Sequence, residues 1–155
     1  MFNGRRVSVV FATYREKDSV RQAIEDFFNT GLVEEVVVVN NNAELGTDEE
    51  VKKTKARLVY QPQQGYGWAF RKGITEATGD LIVLCEPDST YTGKDLGKFL
   101  EYSKDFDAVF GTRTNTSTIA EGSDMRPLRR FGNVVYGKII QTLFGTTSLT
   151  EIGCT

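Results

Sequence analysis

Residues 34–40 read EEVVVVN. Four consecutive valines leave no polar position to face water. A half-exposed strand alternates apolar and polar residues, whereas a strand covered on both faces is apolar throughout. The run therefore predicts a strand inside a parallel sheet, with helices on each side, ending at Asn40. Related runs recur along the chain. RRVSVVFA (5–12), RLVYQ (57–61), LIVLC (81–85) and FDAVFGT (106–112) each read as a further strand.

Between the strands lie amphipathic segments. DSVRQAIEDFFN (18–29) sets Val20, Ile24, Phe27 and Phe28 at helical spacing, with Gly31 as its stop. TDEEVKKTKA (47–56) predicts a short polar helix, with Thr47 as N-cap and Glu50 in capping-box position. GWAFRKGITEATG (67–79) predicts a helix closed by Gly79, GKDLGKFLEYSK (93–104) another, and a longer helical pattern runs from Pro127 to Phe144. The order βαβαβαβαβ and then a helix predicts an α/β fold: a mainly parallel sheet with helices on both faces. No linker, repeat or low-complexity tract interrupts residues 1–155, so one domain is expected. Thr114 to Met125 is polar and aperiodic, and reads either as a surface connection or as an active-site lid.

Composition narrows the chemistry. The net charge of −2 argues against a general nucleic-acid binder, which would carry a basic excess. There is no histidine, which excludes Ser-His-Asp and Cys-His catalysis and every His-ligated metal site. Acid–base or metal chemistry must come from carboxylates, amides, hydroxyls, Lys or Arg. Cys85 lies in an apolar run, far from Cys154, and reads as a core residue. No disulfide framework is legible, as expected in a reducing compartment. The N-terminal apolar run is too short for a signal peptide, and no run is long enough to cross a bilayer. A cytoplasmic protein is expected, at most peripheral at the cytoplasmic face of a membrane.

Ligands of such sheets bind beyond the carboxyl ends of the strands. LIVLC runs there into Glu86-Pro87-Asp88. Carboxylates at i and i+2 on a proline-stiffened turn can both face one Mg²⁺ or Mn²⁺, which takes few carboxylates and completes its shell with phosphate and water. The plainer reading is an acidic turn in which Asp88 caps the following segment. QQGYGWAFRKG (63–73) resembles a dinucleotide-binding turn, but Phe70 occupies the third glycine position, where it would obstruct close helix–strand packing. Asn40-Asn41-Asn42 can hydrogen-bond a base or ribose, or simply form a turn. Arg113 can bind phosphate bidentately or sit in a surface ion pair. Arg126, Arg129 and Arg130 form either a solvated face or an anionic-acceptor site.

In order along the chain, these segments resemble family 2 glycosyltransferases. VSVVFATYRE is similar to their opening strand and Thr-Tyr-x-Glu turn. VVVVNNNAELGTDE is similar to their nucleotide turn, and QPQQGYGWAFRKGITEATGDLIVLCEPDSTY to the approach to their metal-binding Asp-x-Asp. FDAVFGTRT and LTEIGCT resemble later segments of the polyprenyl- and dolichyl-phosphate mannosyl- and glucosyltransferase branch. The resemblance implies a GT-A fold and a metal-dependent, inverting transfer of a sugar from a UDP- or GDP-linked donor, with polyprenyl phosphate at a membrane surface as one acceptor. It implies Ala12, Tyr14, Glu16, Asn40, Gln64, Gly65 and Glu86 at the nucleotide sugar, and Glu86 and Asp88 at Mg²⁺ or Mn²⁺. It implies Asp88, Arg113 and Glu151 as catalytic, and Arg126, Arg129 and Arg130 at the acceptor. The sequence departs from the family pattern at Ala12 (often proline), Asn40 (often aspartate), Glu86 (the first aspartate of Asp-x-Asp) and Glu151 (often aspartate). The chain also stops where family members usually continue, so a part of the acceptor site, or a membrane-associating tail, is expected to be absent from it. A nucleotide-sugar-binding domain without catalysis, and a dinucleotide-binding oxidoreductase domain, are the competing readings.

Overall fold

In the computed structural model the described residues are 1–111 and 127–145, with side chains at 127–130 and 133 outside the description. The chain divides into two compact units, residues 1–107 and 108–155. The first holds β1 (Val7–Thr13), α1 (Lys17–Asn29), β2 (Glu35–Asn40), α2 (Thr47–Lys52), β3 (Arg57–Tyr60), α3 (Tyr66–Glu76), β4 (Leu81–Cys85) and α4 (Gly93–Tyr102). The described part of the second holds α5 (Pro127–Phe144).

The strands form a parallel sheet in the order β3-β2-β1-β4. Side chains alternate across it. Val7, Val9 and Phe11 of β1 and Val36 and Val38 of β2 face a layer that includes α1, α2 and α4, where they meet Val20, Ile24, Phe27, Val51, Leu96 and Leu100. Val10, Ala12, Val37 and Val39 face the other side and meet Ala69 and Phe70 of α3. The valine run of β2 is thus buried on both faces, as its sequence requires. Each such side chain contributes about 1.5–3 kcal/mol of burial.

Four expectations are corrected. LIVLC reads as buried throughout, yet only Cys85 is fully buried, while Ile82 and Leu84 are 39% and 37% exposed. The cause is coverage: α3 packs chiefly across β1 and β2. The described part of the expected fifth strand, residues 106–111, forms no strand, and Phe106 and Phe110 point outward, 60% and 77% exposed. Among the described residues its β-rich composition finds no ladder partner, and composition alone does not make a strand. The N-cap of α2 is Gly46 rather than Thr47, and Glu50 pairs with Lys53 instead of closing a capping box. Thr47 is fully buried, its hydroxyl without a hydrogen-bond partner. Finally, α3 ends at Glu76, and Gly79 serves close packing: a Cβ there would lie 2.7 Å from Ser8 N and 2.9 Å from Arg6 O.

The amino ends of the strands are tied by ion pairs. Glu35 accepts from Ser8 Oγ (2.6 Å), Thr78 N (2.8 Å) and Arg57 Nη2 (3.0 Å). Arg57 also reaches Glu76 (2.8 Å), which Lys72 holds from the other side (2.8 Å). Partial burial pushes the Glu35 carboxyl up, but the bonds from Ser8, Thr78 and Arg57 outweigh it and hold the pKa at about 2, against 4.5. The depressed value means the stabilisation is complete above about pH 4.5 and is lost as pH falls towards 2. Between pH 4.5 and 3 the urea-unfolding free energy is expected to drop by roughly 2 kcal/mol more in the wild type than in Glu35→Gln. Parallel pH profiles of the two proteins would refute this.

Candidate functional site

At the carboxyl edge, the strand ends of β1, β2 and β4 and the start of α3 enclose one open cleft of about 240 Å³. That is below the range of an enclosed site for a drug-sized ligand, so a larger molecule would lie partly outside it. Six residues singled out from sequence line it: Ala12, Tyr14, Glu16, Gln64, Gly65 and Glu86. They come from three separate parts of the chain, brought together by the sheet order.

Local hydrogen bonds fix each wall. After β1 the chain turns under Glu16, whose Oε2 accepts the N–H groups of Tyr14 (2.6 Å) and Arg15 (2.9 Å). This holds Tyr14 at the cleft, with the Arg15 guanidinium 5.0 Å from its ring centroid. Gly65 is the N-cap of α3 at φ +144°, a region that glycine alone adopts readily. The Glu86–Asp88 turn is tethered by Ser19, which donates to Pro87 O (2.6 Å).

Four further residues line the cleft: Thr13, Tyr66 and Ala69, to which the sequence assigns no individual role, and Asn41, which it offers only as one of three asparagines for a ligand or a turn. Asn41 is the most consequential. It is buried, and its Nδ2 donates to Gln61 O (2.7 Å) and Gln63 O (2.8 Å) while its Oδ1 accepts from Gly65 N (2.8 Å). One side chain therefore shapes the segment that carries Gln64 and Gly65. The period of the strand was the available signal. Val37 and Val39 face α3, and the next residue of that parity is Asn41, not Asn40.

Two expected residues stand outside the cleft wall. Asn40 donates to Asp48 Oδ1 (2.6 Å) and accepts from Ala43 N (2.8 Å). Asp48 also accepts from Tyr60 OH (2.6 Å), and this bond pushes the phenol pKa up. Asp88 accepts from Thr90 N (2.9 Å) and Thr90 Oγ1 (2.8 Å), the local turn that its plainer reading anticipated. Arg113, Arg126 and Glu151 lie outside the described residues, as does the Thr114–Met125 stretch. Arg129 and Arg130 lie in the first turn of α5, with side chains outside the description. Burial, with Asp88 and Glu86 nearby, pushes the Cys85 thiol up, so it stays protonated and inert.

Among the described residues, no group of three or more His, Cys, Asp or Glu side chains could hold a metal ion alone. The donor chemistry still fits a hard divalent ion. Glu86 stands in the cleft wall and Asp88 two residues on, and a carboxylate engaged in two hydrogen bonds retains lone pairs. Mg²⁺ and Mn²⁺ sites of this kind take one or two carboxylates and draw the rest from phosphate and water.

The parallel sheet, the helices on both faces and a cleft at the carboxyl edge define a nucleotide-binding class of α/β fold. The profile of glycosyl transferase family 2 matches residues 8–155, and the chain belongs to that family. It is 29% identical over 143 residues to a dolichyl-phosphate hexose transferase of Haloferax volcanii, covering 91% of this chain and 60% of that one. It is 26% identical to the glycosyltransferase AglJ of the same organism, covering 90% and 45%. The chain thus spans about half the length of these relatives. Among solved structures, glucosyl-3-phosphoglycerate synthase of Mycobacterium tuberculosis, in complex with Mn²⁺, UDP and phosphoglyceric acid, superposes with a TM-score of 0.60 at 19% identity, covering 69% of this chain and 42% of that one. The shared fold is GT-A.

Proposed function

We infer that this chain is the donor-binding part of an inverting glycosyltransferase that moves a sugar from a nucleotide-diphosphate sugar to a polyprenyl phosphate, with Mg²⁺ or Mn²⁺. The observation that carries the reading is the convergence of Ala12, Tyr14, Glu16, Gln64, Gly65 and Glu86 on one cleft at the carboxyl edge. The named relatives support it: one is a dolichyl-phosphate hexose transferase, and the structural neighbour binds UDP and Mn²⁺.

In this mechanism the cleft wall orients the donor. Tyr14 offers a ring face and Gln64 an amide, while Gly65 lets the ligand approach the backbone closely. Glu86 and Asp88 would hold the divalent ion, which supplies Lewis-acid stabilisation of the leaving diphosphate. Arg113 lies in the segment assigned to phosphate, and Arg126, Arg129 and Arg130 in that assigned to the acceptor. A phosphate acceptor is already anionic and needs no strong base. A hydroxyl acceptor would need one, and in a chain without histidine Glu151 is the carboxylate assigned to it. The turn that engages both Asp88 oxygens favours a second reading, a nucleotide-sugar-binding domain without turnover.

Calorimetry with UDP, GDP and NAD, with and without Mn²⁺, tests the reading. One nucleoside diphosphate is expected to bind in a Mn²⁺-dependent manner, and NAD not to bind. Asp88→Asn keeps an acceptor for Thr90 but removes the charge, and is expected to weaken Mn²⁺-dependent binding by at least about tenfold. Metal-independent NAD binding would replace the proposal with an oxidoreductase. Transfer assays on the whole protein separate the acceptors: sugar transfer to polyprenyl phosphate is expected, product on hydroxyl acceptors alone would overturn that part, and donor binding without turnover on either would favour the second reading.

A further inference from the structure

Helix α5 wears its apolar side outward. Phe131, Val135, Ile139 and Leu143 follow at four-residue steps, and all are exposed, Phe131 by 68% and Leu143 by 73%. Each such step turns the helix about 40° further, so the four cover roughly 120° of its circumference. Gly137, the buried residue on this helix among those described, falls on about the opposite side. A helix on a water-soluble surface turns such a stripe inward. Here it is presented to the surroundings, with Tyr136 exposed beside it (59%).

Charge selects the occupant. The helix contains Arg129, Arg130 and Lys138 and no acid, within a chain of net charge −2. Two copies joined through this face would bring like charges together, whereas an anionic lipid surface meets both features at once. Aromatic rings and long cationic side chains suit the headgroup boundary, and an apolar stripe suits the acyl region below it. No described helix is long and apolar enough to cross a membrane, which leaves an orientation along the surface.

We propose that α5 lies in the interface of an anionic lipid bilayer and seats the protein there through Phe131, Val135, Ile139 and Leu143. The proposal deepens the polyprenyl-phosphate reading above, whose acceptor is held in a bilayer, while the choice of a lipid surface rests on the charge and apolar stripe of α5.

Co-sedimentation of the whole protein with vesicles tests it. Binding is expected with mixed phosphatidylglycerol and phosphatidylcholine, to weaken as salt rises, and to be far weaker with phosphatidylcholine alone. The double variant Ile139→Glu/Leu143→Glu is expected to lose at least about tenfold in vesicle affinity. Both positions are exposed, so its circular dichroism and melting should match the wild type. Absence of binding, equal binding to neutral vesicles, unchanged binding by the double variant, or a wild-type dimer that this variant converts to monomer would each overturn the proposal. Calorimetry with UDP and with GDP, each with Mn²⁺, on the same samples reports the donor site separately: vesicle binding without binding of either nucleotide would fail the glycosyltransferase reading and leave this one standing.

Discussion

Gly73→Ala is expected to destabilise the protein by roughly 2 kcal/mol, although alanine is the better helix former. At an exposed helix position the exchange would gain about 1 kcal/mol. At residue 73 the added Cβ would lie 2.1 Å from Val10 Cγ1 and 3.1 Å from Val39 Cγ2. Both valines are fully buried, and β-branched side chains on a strand have little rotamer freedom to yield. The helix must then lift off β1 and β2, and overpacking of this kind costs about 1–3 kcal/mol or more. The midpoint of thermal unfolding should fall by roughly 6 °C. A double-mutant cycle identifies the cause. Val10→Ala removes the clashing methyl and is destabilising alone, so the pair with Gly73→Ala should cost at least about 1 kcal/mol less than the sum. Additive losses would show that the close approach is not what glycine serves there.

That contact explains one point the sequence concealed. Phe70 stands where a dinucleotide-binding unit has its third glycine, and the residue type there suggests obstructed packing. In the structure Phe70 is itself packed against β1 and β2, and the close approach falls three residues later, at Gly73. Helical periodicity shows which side of α3 faces the sheet but not at which turn the backbones come nearest. The sheet was legible for a related reason. Val36 to Val39 can be buried only between two layers, and the burial of a run is a local property. Exposure of Ile82 and Leu84 is not local: it depends on how far α3 reaches across the sheet. The described part of the expected fifth strand, residues 106–111, failed on the same ground, because pairing needs a partner that composition does not name.

The cleft was legible as a set of strand ends, less so as individual side chains. Glu86 and Gln64 follow from their place at the edge. Among Asn40, Asn41 and Asn42 residue type cannot choose, since all three can hydrogen-bond a ligand or a turn. The alternation of β2 chooses: the parity of Val36 and Val38 leads to Asn40 and its bond to Asp48, and that of Val37 and Val39 leads to Asn41 and the cleft. Asp88 presents the converse difficulty, because a metal ligand and a turn cap are the same residue until its partners are known.

Asn41→Asp should therefore disable the cleft with almost no change of shape. The new carboxyl can still accept the Gly65 N–H, so one of the three bonds survives. The amide nitrogen that served Gln61 O at 2.7 Å and Gln63 O at 2.8 Å becomes an oxygen facing two carbonyl oxygens. Each buried acceptor left unsatisfied costs about 1–3 kcal/mol, so a loss of at least about 2 kcal/mol in stability is expected. The released 61–65 segment carries Gln64 and Gly65, so under the proposed function the affinity for the nucleoside diphosphate, UDP or GDP, should fall by at least about tenfold. Acid should relieve the defect. Burial and the two carbonyls raise the pKa of the introduced carboxyl above its unfolded value, so the penalty is full above the raised folded value. It shrinks as pH falls through that value, because the protonated group can again donate to one carbonyl. Asn42→Asp is the control: Asn42 is exposed, and its bonds to Pro62 O and Gln64 Oε1 are longer, 3.2 Å each. It should cost under about 1 kcal/mol and leave nucleoside-diphosphate binding close to normal. Equal effects at both positions, or an Asn41→Asp penalty that does not change with pH, would show that these bonds do not set the geometry of the cleft.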